Sequence, residues 1–411
     1  MALPETLDEA LLQYIWQQRL LKTGSYSSIE GQTLKILNPG ELNTNGGPDF
    51  LDARIEIDGQ LWAGSVELHL NAKDWNTHGH QHDPAYSNTV LHVVYENGGK
   101  SAVRNDGSFI PVFELHPFID EHLIERYRYL MDTREVMPCS AFLPKIGKKV
   151  VLPWLDRMMI EKLELKNESI ANILKQTAND WQAAFYQLLA RGFGFGLNGE
   201  MYEQLTKAVP FELVKKYQAT SENLVALFVG QSGLYENGSP QMDKNSPTYE
   251  FLKHKHGLNS AAINWSFFRT RPSNFPSVTL LQLAKLLIDF DILYHVASIG
   301  DIEMMKKLMA KKTKLATPLG KAKTESLLLN VFAPFLYALA KYKNDTLLLE
   351  KATDFLQQLP PENNSIIRRM NASGIASANA ADSQAMLHLH KNYCQKRLCV
   401  NCSIGRACLK Y

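Results

Sequence analysis

A chain of 411 residues is too long for one compact core of ordinary size, so two domains are expected. An apolar fraction of 45% and a charged fraction of 21% fit a soluble globular protein, and the net charge of +2 neither favours nor opposes a nucleic-acid partner. No apolar run approaches the roughly 18–20 residues that span a bilayer, and "MALPETLDEALLQ" lacks the basic start of a signal peptide, so a cytoplasmic protein without a membrane partner is expected.

The chain opens on "TLDEALLQYIWQQRLLK" (6–22), with apolar residues at helical spacing and Thr6 and Glu9 placed as a capping box. Strand patterns follow at 33–37, 53–57 and 61–70, with Asp58-Gly59 as the hairpin turn between the last two. "TVLHVVYE" (89–96) is nearly all apolar, as a strand buried on both faces should be, and "FIPVFEL" (109–115) is a further strand. This order predicts an α/β or α+β domain over 1–120. Helical periodicity then takes over at 118–132, 152–176, 181–194, 280–297 and 324–342, with loops at 230–247 and 270–277. An all-α domain is therefore expected over 121–390, with a cysteine-rich tail, 391–411, packed on it. "GFGFGLNG" (192–199) lacks the order of a phosphate-binding loop and follows a helix, so that reading is rejected. Arg269 and Arg271 fall in a proline-rich loop.

Side chains alternate along a strand, so in "SVELH" Ser65, Glu67 and His69 share one face, expected to be polar, while Val66 and Leu68 face the core. Asp49 starts the preceding strand, and antiparallel pairing would set its carboxylate beside that of Glu67. Two like charges so close are unfavourable, and a divalent cation such as Mg²⁺ or Mn²⁺ relieves them. The alternative is a hairpin whose outer face is simply solvated.

Pro48-Asp49 followed by Glu67-x-His69 on the next strand resembles the PD-(D/E)XK nuclease superfamily, the restriction-endonuclease-like fold. The resemblance implies a helix before a mixed sheet, Asp49 and Glu67 as metal ligands, and His69 where the family has a Lys that positions the attacking water. It also implies an acid from the first helix, for which Glu9 is the candidate, with Glu41 as another. The longer block from Asn38 to Glu96 looks like an uncharacterised bacterial domain family, a resemblance that extends over most of the chain and brings no established activity. Together these imply metal-assisted hydrolysis of phosphodiester bonds in DNA or RNA. Two alternatives stand beside it. One is a non-catalytic nucleic-acid-binding or scaffold protein that keeps the fold. The other is a metal-dependent hydrolase built on "DWNTHGHQHDPAY" (74–86), whose His78, His80 and His82, with Asp74 and Asp83, could hold a transition metal if the segment is extended. His92, inside an apolar strand, reads as a core histidine unless it points into the same cleft as His69.

Cys394, Cys399, Cys402 and Cys408 are spaced C-x4-C-x2-C-x5-C, which suits Zn²⁺ or an iron–sulfur cluster. The spacing looks like the cluster loop of base-excision glycosylases and like the C-terminal cysteines of [4Fe–4S] exonucleases with the nuclease fold. The latter resemblance implies that Cys139 replaces Cys394 or Cys408. His388 and His390 precede the tail as spare ligands or exposed residues. Seven lysines and no acid lie between Lys306 and Lys323, and Lys311, Lys312, Lys314, Lys321 and Lys323 are the expected phosphate contacts. The alternative is a solvated helix face.

Overall fold

The structure, a computed structural model, describes residues 7–98, 102–235, 246–259, 261, 263–268 and 270–410. Thr6, Arg269 and the 236–245 part of the predicted loop 230–247 lie outside them. The chain divides into two units. The first is Met1–Trp154 with Ala372–Ile375 and Leu389–Tyr411; the second is Leu155–Asn371 with Ala376–His388.

In the first unit, helix α1 (Glu9–Gln17) is capped by Asp8, whose carboxylate accepts the Leu11 N–H at 2.9 Å. It buries Leu11, Leu12, Ile15 and Trp16. Trp16 meets Phe113 edge-on, with ring centroids 6.5 Å apart. Strands β1 (Tyr26–Ser27), β2 (Thr33–Asn38), β3 (Glu41–Leu42), β4 (Phe50–Ile57), β5 (Gln60–Asn71) and β6 (Thr89–Glu96) follow. The short β7 (Ala102–Val103) and β8 (Phe109–Ile110) pair with each other, and β9 (Val112–Glu114) returns to the main sheet. "FIPVFEL" is therefore two strands broken at Pro111, which has no N–H to donate to a ladder; its carbonyl accepts the His92 N–H at 3.0 Å.

The sheet order is β1-β2-β4-β5-β6-β9, with β3 beside β4. β4 and β5 are antiparallel across the Asp58-Gly59 turn, where both residues have positive φ (48° and 81°) as a tight right-twisted hairpin requires. β5, β6 and β9 run parallel. A parallel pair needs a crossover, and here it is the segment between β5 and β6 that carries α2 (Asp74–Thr77) and two single 3₁₀ turns. At Gly64 a methyl group would meet the Asn88 carbonyl and stand 2.6 Å from Val90 Cγ1. Gly64→Ala is expected to lower stability in urea unfolding by about 1–3 kcal/mol, the usual cost of forcing a packed site apart; an unchanged midpoint would mean that the strands separate freely there.

Helix α3 (Glu121–Asp132) and the C-terminal helix Ser403–Lys410 belong to this unit. The tail was expected on the helical domain, with the domain boundary at 120; both expectations are corrected by hydrogen bonding. Arg397 donates to the carbonyls of Leu130 (3.3 Å) and Thr133, at the end of α3, and Arg126 donates to Leu409 O at 3.1 Å. Basic side chains thus satisfy carbonyls that a helix end leaves without partners.

The second unit is helical, with Trp181–Phe193, Pro276–Ile288, Phe290–Ile299 and Ala333–Lys343 among its helices. Phe185 packs on Phe290 and Phe335, with centroids 5.9 and 4.6 Å away. The predicted helix at 280–297 is two helices meeting at Asp289, and that at 324–342 passes through a wide π turn, Leu328–Phe332. Gly194–Asn198 joins two helices, so no strand precedes the glycine-rich stretch. No helix among the described residues is long and apolar enough to cross a membrane.

Candidate functional site

The register of the β4–β5 hairpin decides the first pair. Phe50 stands opposite Val66, which sets Asp49 against Glu67 and Leu68. The Asp49 N–H donates to Glu67 Oε2 at 3.0 Å, and the Leu68 N–H donates to Asp49 Oδ2 at 2.9 Å. Two residues into β4 the ladder slips between Phe50 and Ala53, and Asp52 takes φ 58°. Such a bulge bends the strand and re-aims what precedes it. From α1, Gln13 Nε2 donates to Asp49 Oδ1 at 2.7 Å.

Glu67 and His69 do share a face, as alternation requires, but it is not open. Glu67 is 5% exposed and His69 1%. The expected polar face is covered by α1 and the crossover, both packed on β5. The crossover is not extended either. It makes the short helix α2, turns at Gly79 (φ 77°), and continues as a 3₁₀ turn, His80–His82. With three residues per turn, His80 and His82 point apart. His78 and His80 therefore enter the cluster, while His82 stays on the outer side of the turn. Asp83 caps the next 3₁₀ turn, accepting the Ala85 N–H at 2.9 Å, and makes no ligand.

The polar atoms converge closely. His69 Nε2 lies 3.1 Å from His78 Nδ1, 3.3 Å from His80 Nε2 and 3.4 Å from Glu67 Oε1. His80 Nε2 lies 3.3 Å from the same Glu67 oxygen. On its other side, His69 Nδ1 is 2.9 Å from His92 Nε2. His92 is thus both fully buried and directed at His69. Tyr86 stacks on His80 with centroids 3.9 Å apart, and Trp75 stands edge-on to His80 at 5.4 Å and tilted against His92 at 5.3 Å. These rings fix the imidazoles and keep water from their flanks.

Burial dominates the electrostatics. It pushes the Glu67 carboxyl up to about 9, with the Asp49 charge adding to the rise. Asp49 is also raised by burial, against the pull of the Leu68 N–H and Gln13. Glu9, half-buried in the first turn of α1, is raised by burial and then by Asp49. Burial holds His69 down at about 2 and His92 at about 3, with neighbouring imidazoles lowering both further. His80 is lowered by burial and then by His78. Tyr86 is pushed up to about 12 by burial and then by the Glu67 charge.

The remaining candidates divide. Glu41 is exposed on β3, and the contacts of Asp49 and Glu67 do not include it. Lys323 is buried; its ammonium donates to Gln282 Oε1 at 2.9 Å and to Ser273 O, and burial lowers it to about 8. It is therefore withdrawn from any phosphate. Lys311, Lys312, Lys314 and Lys321 are all exposed; Lys311 pairs with Asp289 at 2.6 Å and Lys321 with Glu325 at 3.9 Å. His388 and His390 are buried, bonded to Glu161 Oε1 and Val136 O respectively, each at 3.1 Å.

All five cysteines are free and buried. Residue 139 joins the four of the tail. The Cys139 thiol is hydrogen-bonded to that of Cys408, and Cys408 Sγ donates to Ile404 O at 3.2 Å. Cys394 ends a wide π turn, His390–Cys394, and is raised by burial and then by Cys139, Cys402 and Cys399. Cys399 and Cys402 are pushed up to about 12, chiefly by burial.

Gln13 and Tyr86 were not singled out from sequence. Gln13 had one signal: it follows Glu9 by four residues and so shares its helix face. Tyr86 had none, because its place depends on how the crossover folds.

Fold and cluster together define a protein with an N-terminal mixed sheet, carrying a buried carboxylate–histidine centre, and a largely helical second unit. The chain belongs to the family described as protein of unknown function DUF2851, whose model matches residues 9–365. No curated protein and no solved structure matches it.

Proposed function

We propose that this protein is a metal-dependent hydrolase of phosphodiester bonds in nucleic acid, with DNA as the favoured polymer. The observation that carries the reading is the Asp49–Glu67 pair, held side by side on antiparallel strands with His69 two residues on. A helix before a mixed sheet also agrees with the PD-(D/E)XK resemblance.

The residues fit a divalent ion. A buried carboxylate, Glu67, and a half-buried one, Asp49, stand together, and of their four oxygens Glu67 Oε1 accepts no N–H from the backbone or from Gln13 and faces imidazoles instead. Asp49 and Glu67 are the carboxylates that would hold it, and a bound ion supplies Lewis acidity at a phosphoryl group. The chain's own residues orient and protonate. Gln13 and the Leu68 N–H fix Asp49, and the Asp49 N–H fixes Glu67. Glu9, raised by burial and then by Asp49, is the first-helix acid we assign to carry a proton near the pair. His69 brings a lone pair where the resemblance has a Lys. Of the five lysines expected at phosphate, Lys312 and Lys314 are exposed and take no part in the Lys311 and Lys321 ion pairs, and we assign them to the polymer backbone.

The test is cleavage of single-stranded, duplex and branched DNA and of RNA with Mg²⁺, Mn²⁺ or Zn²⁺, by wild type, Asp49→Ala and Glu67→Ala. Cleavage that both substitutions abolish supports the reading. Nucleic-acid binding without cleavage under any condition replaces it with a binding module. Gln13→Ala, which loosens Asp49 without removing it, should lower kcat by about 10–100-fold, as loss of an outer partner typically does. The melting temperature should move little; an unchanged kcat would detach Gln13 from the site.

We also infer that four of the five cysteines, Cys399 and Cys402 with two of Cys139, Cys394 and Cys408, hold Zn²⁺ or an iron–sulfur cluster. Supporting this are their common burial and mutual contact, a donor set that soft metals prefer.

A further inference from the structure

The nitrogen-rich side of the cluster poses a chemical problem. His69 Nε2 has three polar neighbours, His78 Nδ1, His80 Nε2 and Glu67 Oε1, at 3.1, 3.3 and 3.4 Å. A neutral imidazole has one N–H and one lone pair. If His69 Nδ1–H donates to His92 Nε2, then Nε2 offers only a lone pair to all three. If instead Nε2 carries the proton, it can satisfy one neighbour and leaves the others facing lone pairs. With Glu67 ionised, as a metal ligand must be, no placement of protons within this set gives every close pair one donor and one acceptor.

A cation at the centre does. Zinc binds imidazole nitrogen at about 2.0–2.1 Å, so two donors at neighbouring corners of a tetrahedron lie about 3.3–3.4 Å apart. The four separations here are 3.1, 3.3, 3.4 and 3.3 Å, the last between His80 Nε2 and Glu67 Oε1. The nitrogens of His69, His78 and His80 all lie within 4.8 Å of one another. We propose that His69 Nε2, His78 Nδ1, His80 Nε2 and Glu67 Oε1 form one four-donor site for a transition-metal ion of the Zn²⁺, Mn²⁺, Fe²⁺ or Co²⁺ class, and that it discriminates against Mg²⁺. Three imidazoles and one carboxylate suit borderline ions, whereas Mg²⁺ demands six oxygens and keeps its waters.

The surroundings are those of a metal site. His69 Nδ1 is tied to His92, a partner of the sort that fixes the tautomer of a ligating imidazole. The Asp49 N–H holds the other oxygen of Glu67, leaving Oε1 for the ion. Tyr86 and Trp75 press on the rings from outside. Glu67 Oε1 is common to this site and to the Asp49–Glu67 pair; here the imidazoles take the place of Asp49 as ligands, and Asp49 orients Glu67 through its N–H. The proposal rests on the hydrolase reading only for the use to which the ion is put.

The test is binding without substrate. Protein stripped with chelator is titrated with Co²⁺ and, separately, loaded with Zn²⁺ for X-ray absorption. Beside any thiolate-bound Co²⁺, one further Co²⁺ with the visible bands of four-coordinate nitrogen and oxygen ligation is expected. The zinc edge should show scatterers at about 2.0–2.1 Å beside any cysteine-bound shell near 2.3 Å. His78→Ala and His80→Ala, at sites that are not fully buried, should each weaken Co²⁺ binding by about 100-fold or more, since even outer partners are worth about 10–100-fold. A millimolar excess of Mg²⁺ should not displace the ion. Equal competition by Mg²⁺, or Co²⁺ bands and affinity unchanged in both variants, overturns the site. Histidine-dependent Co²⁺ binding with no cleavage of any polymer upholds the site and removes the hydrolase reading. Cleavage with histidine-independent metal binding does the reverse.

Discussion

Glu67→Gln is expected to reduce cleavage by about 1,000-fold or more while the protein stays folded. The carboxylate anchors the ion's oxygen side, and charge stabilisation by such an ion is worth several kcal/mol; about 4 kcal/mol is about three powers of ten in rate. The amide keeps the size of the side chain, and it can still accept the Asp49 N–H that Glu67 Oε2 accepts at 3.0 Å. What it loses is the negative charge buried among His69 and His80. Folding should therefore change little, and removing a carboxyl that burial already pushes up to about 9 relieves the metal-free protein. Circular dichroism and a urea midpoint check the first half of this expectation and a single-turnover rate the second. A rate within tenfold of wild type would sink the assignment of Glu67.

Cys399→Ser and Cys402→Ser are expected to strip metal from the tail and to lower the melting temperature of the first unit by about 10 °C or more. Metal binding at a structural site is folding free energy, because the unfolded chain has no assembled site. Losing about 4 kcal/mol of it moves a unit of this size by about 8–16 °C. The thiols are buried with one another and held protonated without a cation, so neither serine gains a compensating partner in the change. Metal analysis and visible absorbance of protein purified without air, followed by thermal unfolding, read both effects. Metal-free wild type with the same melting temperature as the variants would reduce the cluster to packed core thiols.

Much of the sheet was legible because its residues carry a period. Alternation in "ARIEI" and "SVELH", the Asp58-Gly59 turn and the apolar run at 89–96 each point to one local structure, and β4, β5 and β6 follow them. The Asp49–Glu67 proximity was legible to within one residue, since hairpin register follows from the turn; the bulge between Phe50 and Ala53 then shifts that register by one and sets Asp49 against Glu67. The crossover was not. A stretch such as "DWNTHGHQHDPAY" has no period, and a left-handed glycine and two 3₁₀ turns decide which histidines turn inward. Exposure misled as well: Glu67 on a polar stripe and Lys323 in a basic run both look solvated until the covering element is known. The place of the tail was hidden because it depends on hydrogen bonds such as Arg126 to Leu409, 283 residues apart.

The first unit is interrupted in sequence by nearly all of the second. Roughly 235 residues separate Trp154 from Leu389, and at about 5–20 residues per second a ribosome needs roughly 12–47 s to make them. The sheet therefore emerges first, and the unit that carries it is completed last. Through that interval α3 lacks the arginine that closes its end, and Cys139 waits without the thiols beside which it is finally buried. The helical unit, made of one long stretch and a short return, has no such wait. In the nascent chain the younger part can be native while the older part is still open, and any metal held by the cysteines is taken up as a closing step.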